Sequence, residues 1–187
     1  ESIGRPRVSA RTLHGKWLQR MYACGETPES LEGRISANLS LRGIEAGSDI
    51  EGRNRYPIGT IAAVENDKAL FFLLAVSDFD GGNISRSCPD MVHAAVSALV
   101  DTYNAMGQGL DLYLPLMGTG LSRAGLSHLD SYHLITETLA GRAQDIHGSM
   151  TIMVCPDDVV RLQPSDRRTH HGLSHENLHR GRLDGRQ

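Results

Sequence analysis

Aromatic residues are scarce: one Trp, three Phe and five Tyr make up 5% of 187 residues. Cysteine is scarcer, and Cys24, Cys88 and Cys155 are an odd, scattered set. That excludes a disulfide framework and metal-ligand spacing, and fits reduced thiols in a cytosolic protein. No apolar run approaches the ~20 residues that a membrane-spanning helix needs. No signal peptide opens the chain. Glu1 in place of Met points to an excised piece of a longer protein. Charge of one sign is lacking too. The formal net charge is −3, so no global basic field argues for nucleic acid as a partner.

What is present suits a single α/β domain with a substantial core and many tight turns. Hydrophobic residues make up 40%, charged residues 22%, and there are 20 glycines. The organising stretch is Leu110 to Gly125, LDLYLPLMGTGLSRAG. Leu110, Leu112, Leu114 and Leu116, with the bulk of Tyr113, predict a buried strand stopped at Pro115, which cannot donate a ladder hydrogen bond. Met117, Gly118, Thr119, Gly120, Leu121, Ser122 and Arg123 follow as a loop. Ser127 then caps a helix carrying Leu129, Tyr132, Ile135 and Leu139. Strand, glycine loop, helix is the order in which open α/β sheets bind ligands at their carboxyl edge. Glycines let backbone N–H groups turn towards phosphate. An apolar rim (Leu116, Met117, Leu121) and Arg123 strengthen that reading against a mere tight turn. The loop lacks a P-loop lysine, so nucleoside triphosphate hydrolysis is not indicated.

Earlier in the chain, Thr12–Tyr22 predicts a helix with Leu13, Trp17, Leu18 and Met21 on one face, and Thr27-Pro28 starts a second with Leu31, Ile35 and Leu39. Strands are expected over Ile58–Val64 and, antiparallel to it, over the apolar run 69–76, ALFFLLAV, taken as a central strand. The strand-end loop holds Ser77, Asp78 and Phe79, with Asp78 placed to accept from a ribose hydroxyl or to cap a turn. Ser87 and Pro89 open a third helix, and 149–155, SMTIMVC, closes the core. His14, at a helix start, is a candidate for stacking on or bonding a ligand. The histidines of the fourth helix, His128 and His133, read as surface or satisfied residues. This order implies a mixed sheet with helices on both faces, a three-layer α/β/α sandwich over residues 1–162. A polar, basic and His-rich tail follows over 163–187. Its four histidines are irregularly spaced, and no metal ligand is assigned.

Leu13-His14-Gly15, then Tyr56-Pro57-Ile58-Gly59-Thr60, then Gly118-Thr119-Gly120-Leu121-Ser122-Arg123, in that order, resemble the macro domain, an ADP-ribose-binding α/β/α module. They are most similar to the macro-like domain of Thoeris antiphage effectors. The resemblance covers roughly residues 8–162. It implies an ADP-ribose-containing, NAD-derived nucleotide as ligand, held by Leu13, His14, Gly15, Tyr56, Pro57, Ile58, Ser77, Asp78, Phe79 and Met117 to Arg123. It implies no cofactor, a homo-oligomer in which signal binding drives assembly, and a cytoplasmic domain attached to a membrane only through a segment outside this chain.

Two functions remain open: sensing of the nucleotide, or hydrolytic removal of ADP-ribose from proteins or small adducts. The Asn-Ala-Ala-Asn stretch and glycine triplet of hydrolytic macro domains have no counterpart here. Ser122 stands where a second hydrolase branch carries aspartate. Chemistry at an anomeric carbon needs a positioned acid/base or nucleophile, and the glycine loop offers neither carboxylate nor lysine. No catalytic residue is assigned, and sensing is favoured.

Overall fold

The computed structural model describes residues 8–48, 54–66, 68–79, 85–119, 125–163 and 182–184. The chain divides into two compact units, Glu1–Ala75 and Val76–Gln187.

In the first unit, α1 (Leu13–Ala23) begins where Thr12, in extended conformation, accepts a hydrogen bond from the Gly15 amide through its hydroxyl. The chain then turns through Gly25 at φ 94°. Helix α2 (Pro28–Leu41) opens on the expected Thr27 cap, with Pro28 in the first turn. Two short strands, β1 (Gly47–Ser48) and β2 (Asn54–Arg55), pair antiparallel. Strands β3 (Ile61–Asn66) and β4 (Ala69–Leu74) form the predicted hairpin, in register from Ile61 opposite Leu74 to Asn66 opposite Ala69. The core is where the three elements meet. Leu18 and Met21 from α1, Leu31, Ile35 and Leu39 from α2, and Ala62 and Val64 from β3 are all buried together. The i, i+4, i+8 spacing on α2 puts its three residues on one stripe.

The polar side of α2 has a second job. Ile61, Ala63 and Glu65 turn their backbone groups to the edge of β3 away from β4. Asn38 Oδ1 accepts from the Ala63 amide at 2.9 Å. Arg42 donates to the Ile61 carbonyl at 2.5 Å, and Arg34 donates to the Glu65 carbonyl. Three side chains one turn apart thus occupy three alternate positions of an edge that would otherwise pair with another strand.

In the second unit, β5 (Asp78–Phe79) pairs antiparallel with β6 (Ser85–Arg86). Helix α3 (Pro89–Met106) follows, then β7 (Leu112–Pro115), α4 (His128–Gly141), a 3-10 turn (Ala143–Asp145), β8 (Ser149–Met153), a second 3-10 turn (Pro156–Leu162) and β9 (Arg182–Asp184). Strand β8 lies parallel to β7 and antiparallel to β9, so this sheet is mixed. The tail assigned to 163–187 therefore returns at least one short strand to its own chain. Val92, Ala95, Val96, Leu99 and Val100 of α3, Ile135 and Leu139 of α4, and Met150 of β8 are buried. Tyr103 locks the joint between α3, β7 and β8. Its hydroxyl donates to the Leu110 carbonyl at 2.7 Å. Gly107 and Gly148 leave room for the ring, since a Cβ on either would collide with it. Burial raises the Tyr103 pKa above its ordinary value.

Several expectations are corrected in detail. Strand β7 starts at Leu112, and Leu110 (56% exposed) and Tyr113 (61%) face solvent, leaving Leu114 as the buried leucine. The alternation of a strand puts Tyr113 on the face opposite Leu114, and that face is uncovered. Every described residue of β4 is half-buried or exposed, and β4 pairs with β3 alone among the described residues, so the central strand expected over 69–76 is not seen as one. β3 begins three residues later than expected, because Gly59 at φ 84° and the Thr60 amide bonded to the Pro57 carbonyl hold 57–60 in a turn. Helix α3 takes Cys88 as its N-cap, while Ser87 donates to the Val76 carbonyl at 2.7 Å. On α4 the buried stripe is Ser131, Ile135, Thr138 and Leu139. Leu129 and Tyr132 are only half-buried.

Candidate functional site

The first turn after β7, residues 116–119, is the described part of the predicted glycine loop. β7 ends at Pro115, and Gly118 then takes φ 82°, a left-handed conformation that an L side chain resists. Gly118 is buried, and Met117 and Thr119 are half-buried. The buried Ser131 hydroxyl donates to the Met117 carbonyl at 2.6 Å, tying the first turn of the loop to α4. This explains a small polar residue in the buried stripe of α4: a leucine there would leave the carbonyl unpaired. Gly120, Leu121, Ser122 and Arg123 lie outside the described residues.

Helix α4 closes its own N-terminus. The Ser127 hydroxyl accepts from the Asp130 amide at 3.1 Å and donates to the Asp130 carboxylate at 2.7 Å, and the carboxylate accepts from the Ser127 amide at 3.3 Å. This capping box satisfies helix donors that would otherwise seek an anion. The Ser127 hydroxyl, with the backbone amide second, holds the Asp130 carboxyl below its usual range against a smaller opposing desolvation. His128, in the first turn, bonds to the Asp158 carboxylate at 3.3 Å, which also pairs with Arg161 at 3.3 Å. His128 is thus a satisfied residue, and His133 is exposed.

The parallel register sets Pro115 opposite Met153, so Val154 and Cys155 leave β8 at the same carboxyl edge as Leu116 and Met117 leave β7. The sequence placed Val154 and Cys155 in the last core strand and named neither as a site residue. Only the pairing register brings them beside the loop, and no local motif marks them. Ser77 is half-buried, and Asp78 is exposed and sits opposite Arg86. Phe79 is in β5, opposite Ser85.

The remaining candidates belong to the first unit. Leu13 is exposed, and His14 is half-buried with its ring 5.9 Å from that of Trp17. Gly15 is buried, and its amide is taken by Thr12 at 3.0 Å. A Cβ at Gly15 would lie 2.1 Å from the Ser9 carbonyl oxygen. The close approach that glycine permits here is therefore filled by the chain's own backbone. Tyr56 packs against the core cluster, Pro57 is exposed and Ile58 is half-buried. Gly59 donates to the Ala75 carbonyl at 2.9 Å, and the Ala75 amide donates to the Thr60 carbonyl, so the Tyr56–Thr60 segment folds over the carboxyl end of β4.

Among the described residues, no group of three or more His, Cys, Asp or Glu could hold a metal ion. No helix among them is long and apolar enough to cross a membrane.

No curated protein matches the chain. A family model described as the macro domain of the Thoeris protein ThsA matches residues 2–155. The α/β class, the mixed sheet and the glycine turn at the carboxyl end of β7 agree with that match. The chain belongs to the macro domain family of the Thoeris antiphage-defence protein ThsA.

Proposed function

We propose that this domain senses an ADP-ribose-containing, NAD-derived nucleotide and does not turn it over. One observation carries the reading: Gly118, buried and at φ 82°, opens a glycine loop at the carboxyl end of a parallel strand, with its base tied to α4 by Ser131. Such a loop presents amides to a diphosphate. A protein of net charge −3 can hold an anionic ligand in this way, because local dipoles and not net charge do the binding. The amides of 118–122 are the candidates for the diphosphate. Met117, Thr119, Leu121, Ser122 and Arg123 complete the loop's contacts. Asp78, with Ser77 and Phe79, is the candidate for a ribose hydroxyl. His14 and Leu13 at the start of α1, and Tyr56, Pro57 and Ile58, are further candidates. Gly15 is retained among them with its amide already committed.

No cofactor is needed for binding. The ligand is ADP-ribose or a conjugate of it, nucleic acid is not a partner, and occupancy drives self-association. The domain works on the cytoplasmic side, attached to a membrane only through a segment outside this chain. Calorimetry with ADP-ribose and mass spectrometry of ADP-ribosylated substrate after incubation test this together. Heat of binding without release of ADP-ribose is the expected result. Release of ADP-ribose would assign the domain to the hydrolases.

A further inference from the structure

Cations are unevenly placed along the chain. Residues 2–25 contain Arg5, Arg7, Arg11, Lys16 and Arg20 and no Asp or Glu, although acidic residues outnumber basic ones 22 to 19 over the whole. Helix α1 carries no acidic residue, whereas α2 has Glu29 and Glu32, α3 has Asp90 and Asp101, and α4 has Asp130 and Glu137. At about 100° per residue, Leu13, Lys16 and Arg20 fall within roughly 60° of one another, on the side of α1 opposite the buried Gly15, Leu18 and Met21. All three are exposed, Leu13 to 63%, and so is Arg11 just before the Thr12 cap.

The fold does not use these charges. Elsewhere Arg34 pairs with Glu26, Arg142 with Asp101 and Asp145, and Arg161 with Asp158. Arg11, Lys16 and Arg20 form no ion pair among the described residues. Arg20, in the last turn, suits the helix dipole, but Arg11 and Lys16 stand at the N-terminal end, where a cation is disfavoured. Lys16 and Arg20, four residues apart, also repel each other. Uncompensated cations around an exposed leucine fit an anionic surface into which a short apolar side chain can dip. Nucleic-acid surfaces instead set cations beside exposed aromatic rings for stacking, and Trp17 and Tyr22 of α1 pack against the core. We propose that the outward face of α1, with Arg11, Leu13, Lys16 and Arg20, is a docking surface for a membrane leaflet containing anionic phospholipid. Attachment still belongs to a segment outside this chain, and α1 adds a reversible headgroup contact. The inference is independent of nucleotide sensing.

Flotation of the intact chain with lipid vesicles tests it. At low salt the protein rises with phosphatidylcholine vesicles that contain phosphatidylserine, stays behind with phosphatidylcholine alone, and is released as added salt screens the contact. Lys16→Gln lowers the partition coefficient about fivefold, and Lys16→Gln with Arg20→Gln lowers it about 25-fold, from what each basic residue supplies near such a surface. Lys68→Gln, the same charge change on the exposed turn between β3 and β4, keeps the parental value. Glutamine has nearly the helix propensity of lysine and arginine, so circular dichroism of all variants matches the parent. Absence of flotation, equal flotation on phosphatidylcholine alone, a loss in Lys68→Gln as large as in Lys16→Gln, or parental partition of the double variant overturns the inference. Capture of single-stranded RNA without any vesicle binding also overturns it and assigns the face to nucleic acid.

Discussion

Replacing Gly15 by alanine separates two reasons for a glycine at the start of α1. The new Cβ would lie 2.1 Å from the Ser9 carbonyl oxygen, with the Ser9 carbonyl carbon at 2.8 Å and the Ala10 Cα at 2.9 Å. All three atoms are backbone, so relief requires the 9–10 segment to move, and with it the turn in which the Thr12 amide bonds to the Ser9 carbonyl. Overpacking of this kind costs about 1–3 kcal/mol, and here it meets backbone, which puts it at the upper end. Alanine returns up to about 1 kcal/mol of helix propensity. The net expectation is a loss of about 1–2 kcal/mol. Gly33, exposed on α2 with nothing within 4 Å of an added Cβ, supplies the control. Gly33→Ala should gain about 0.5–1 kcal/mol. Paired urea melts read the two with opposite signs, and Tm shifts of roughly 2–4 °C per kcal/mol should agree. A Gly15→Ala protein as stable as Gly33→Ala would refute the close backbone approach and return Gly15 to the ligand.

Asn38→Ala removes the acceptor of the Ala63 amide on the guarded edge of β3. It should cost about 1 kcal/mol in a denaturant melt, and no loss would mean that water replaces the side chain freely. The Asp130 carboxyl is depressed in the folded state, so its contribution is fully present above the unfolded aspartate value of about 3.9 and is lost as pH falls through the lower folded value. Asp130→Asn should therefore flatten the acid limb of stability against pH, and an unchanged limb would show that the capping box is not formed. Deleting residues 165–187 removes β9 from the edge of β8 and should reduce self-association measured by light scattering. Equal mass with and without the tail, both with and without ADP-ribose, would reject an assembly role for it.

Local chemistry was the legible part of the sequence. Thr27-Pro28 and the Ser127 cap act within one turn, and both helices start where those residues say. The hairpin also followed from a short turn between two apolar runs, with Asn66 Oδ1 accepting from the amides of Lys68 and Ala69 to close it. Which face of a strand is covered is a long-range matter. Nothing near Tyr113 announces that its side of β7 is open, nor near Leu110 that the strand begins only at Leu112. The sequence reading did not single out Arg34, Asn38 and Arg42, because only the register of β3 reveals three carbonyl or amide groups opposite them. At the candidate site, Gly118 was readable since its conformation is local. Gly15 looked the same in sequence, yet it serves a contact with Ser9.

The central claim is that loop amides after β7 hold the diphosphate of the ligand. Gly120→Glu puts a bulky, negatively charged side chain where that backbone should approach phosphate, at the surface end of a strand where the fold should tolerate it. Loss of two charge-assisted hydrogen bonds at roughly 1.5–3 kcal/mol each weakens binding by about two orders of magnitude or more. Calorimetry with ADP-ribose on parent and folded Gly120→Glu protein, side by side, measures this directly. The account predicts clear binding by the parent and a loss of at least about a hundredfold in the variant; equal affinities would place the ligand elsewhere and contradict it.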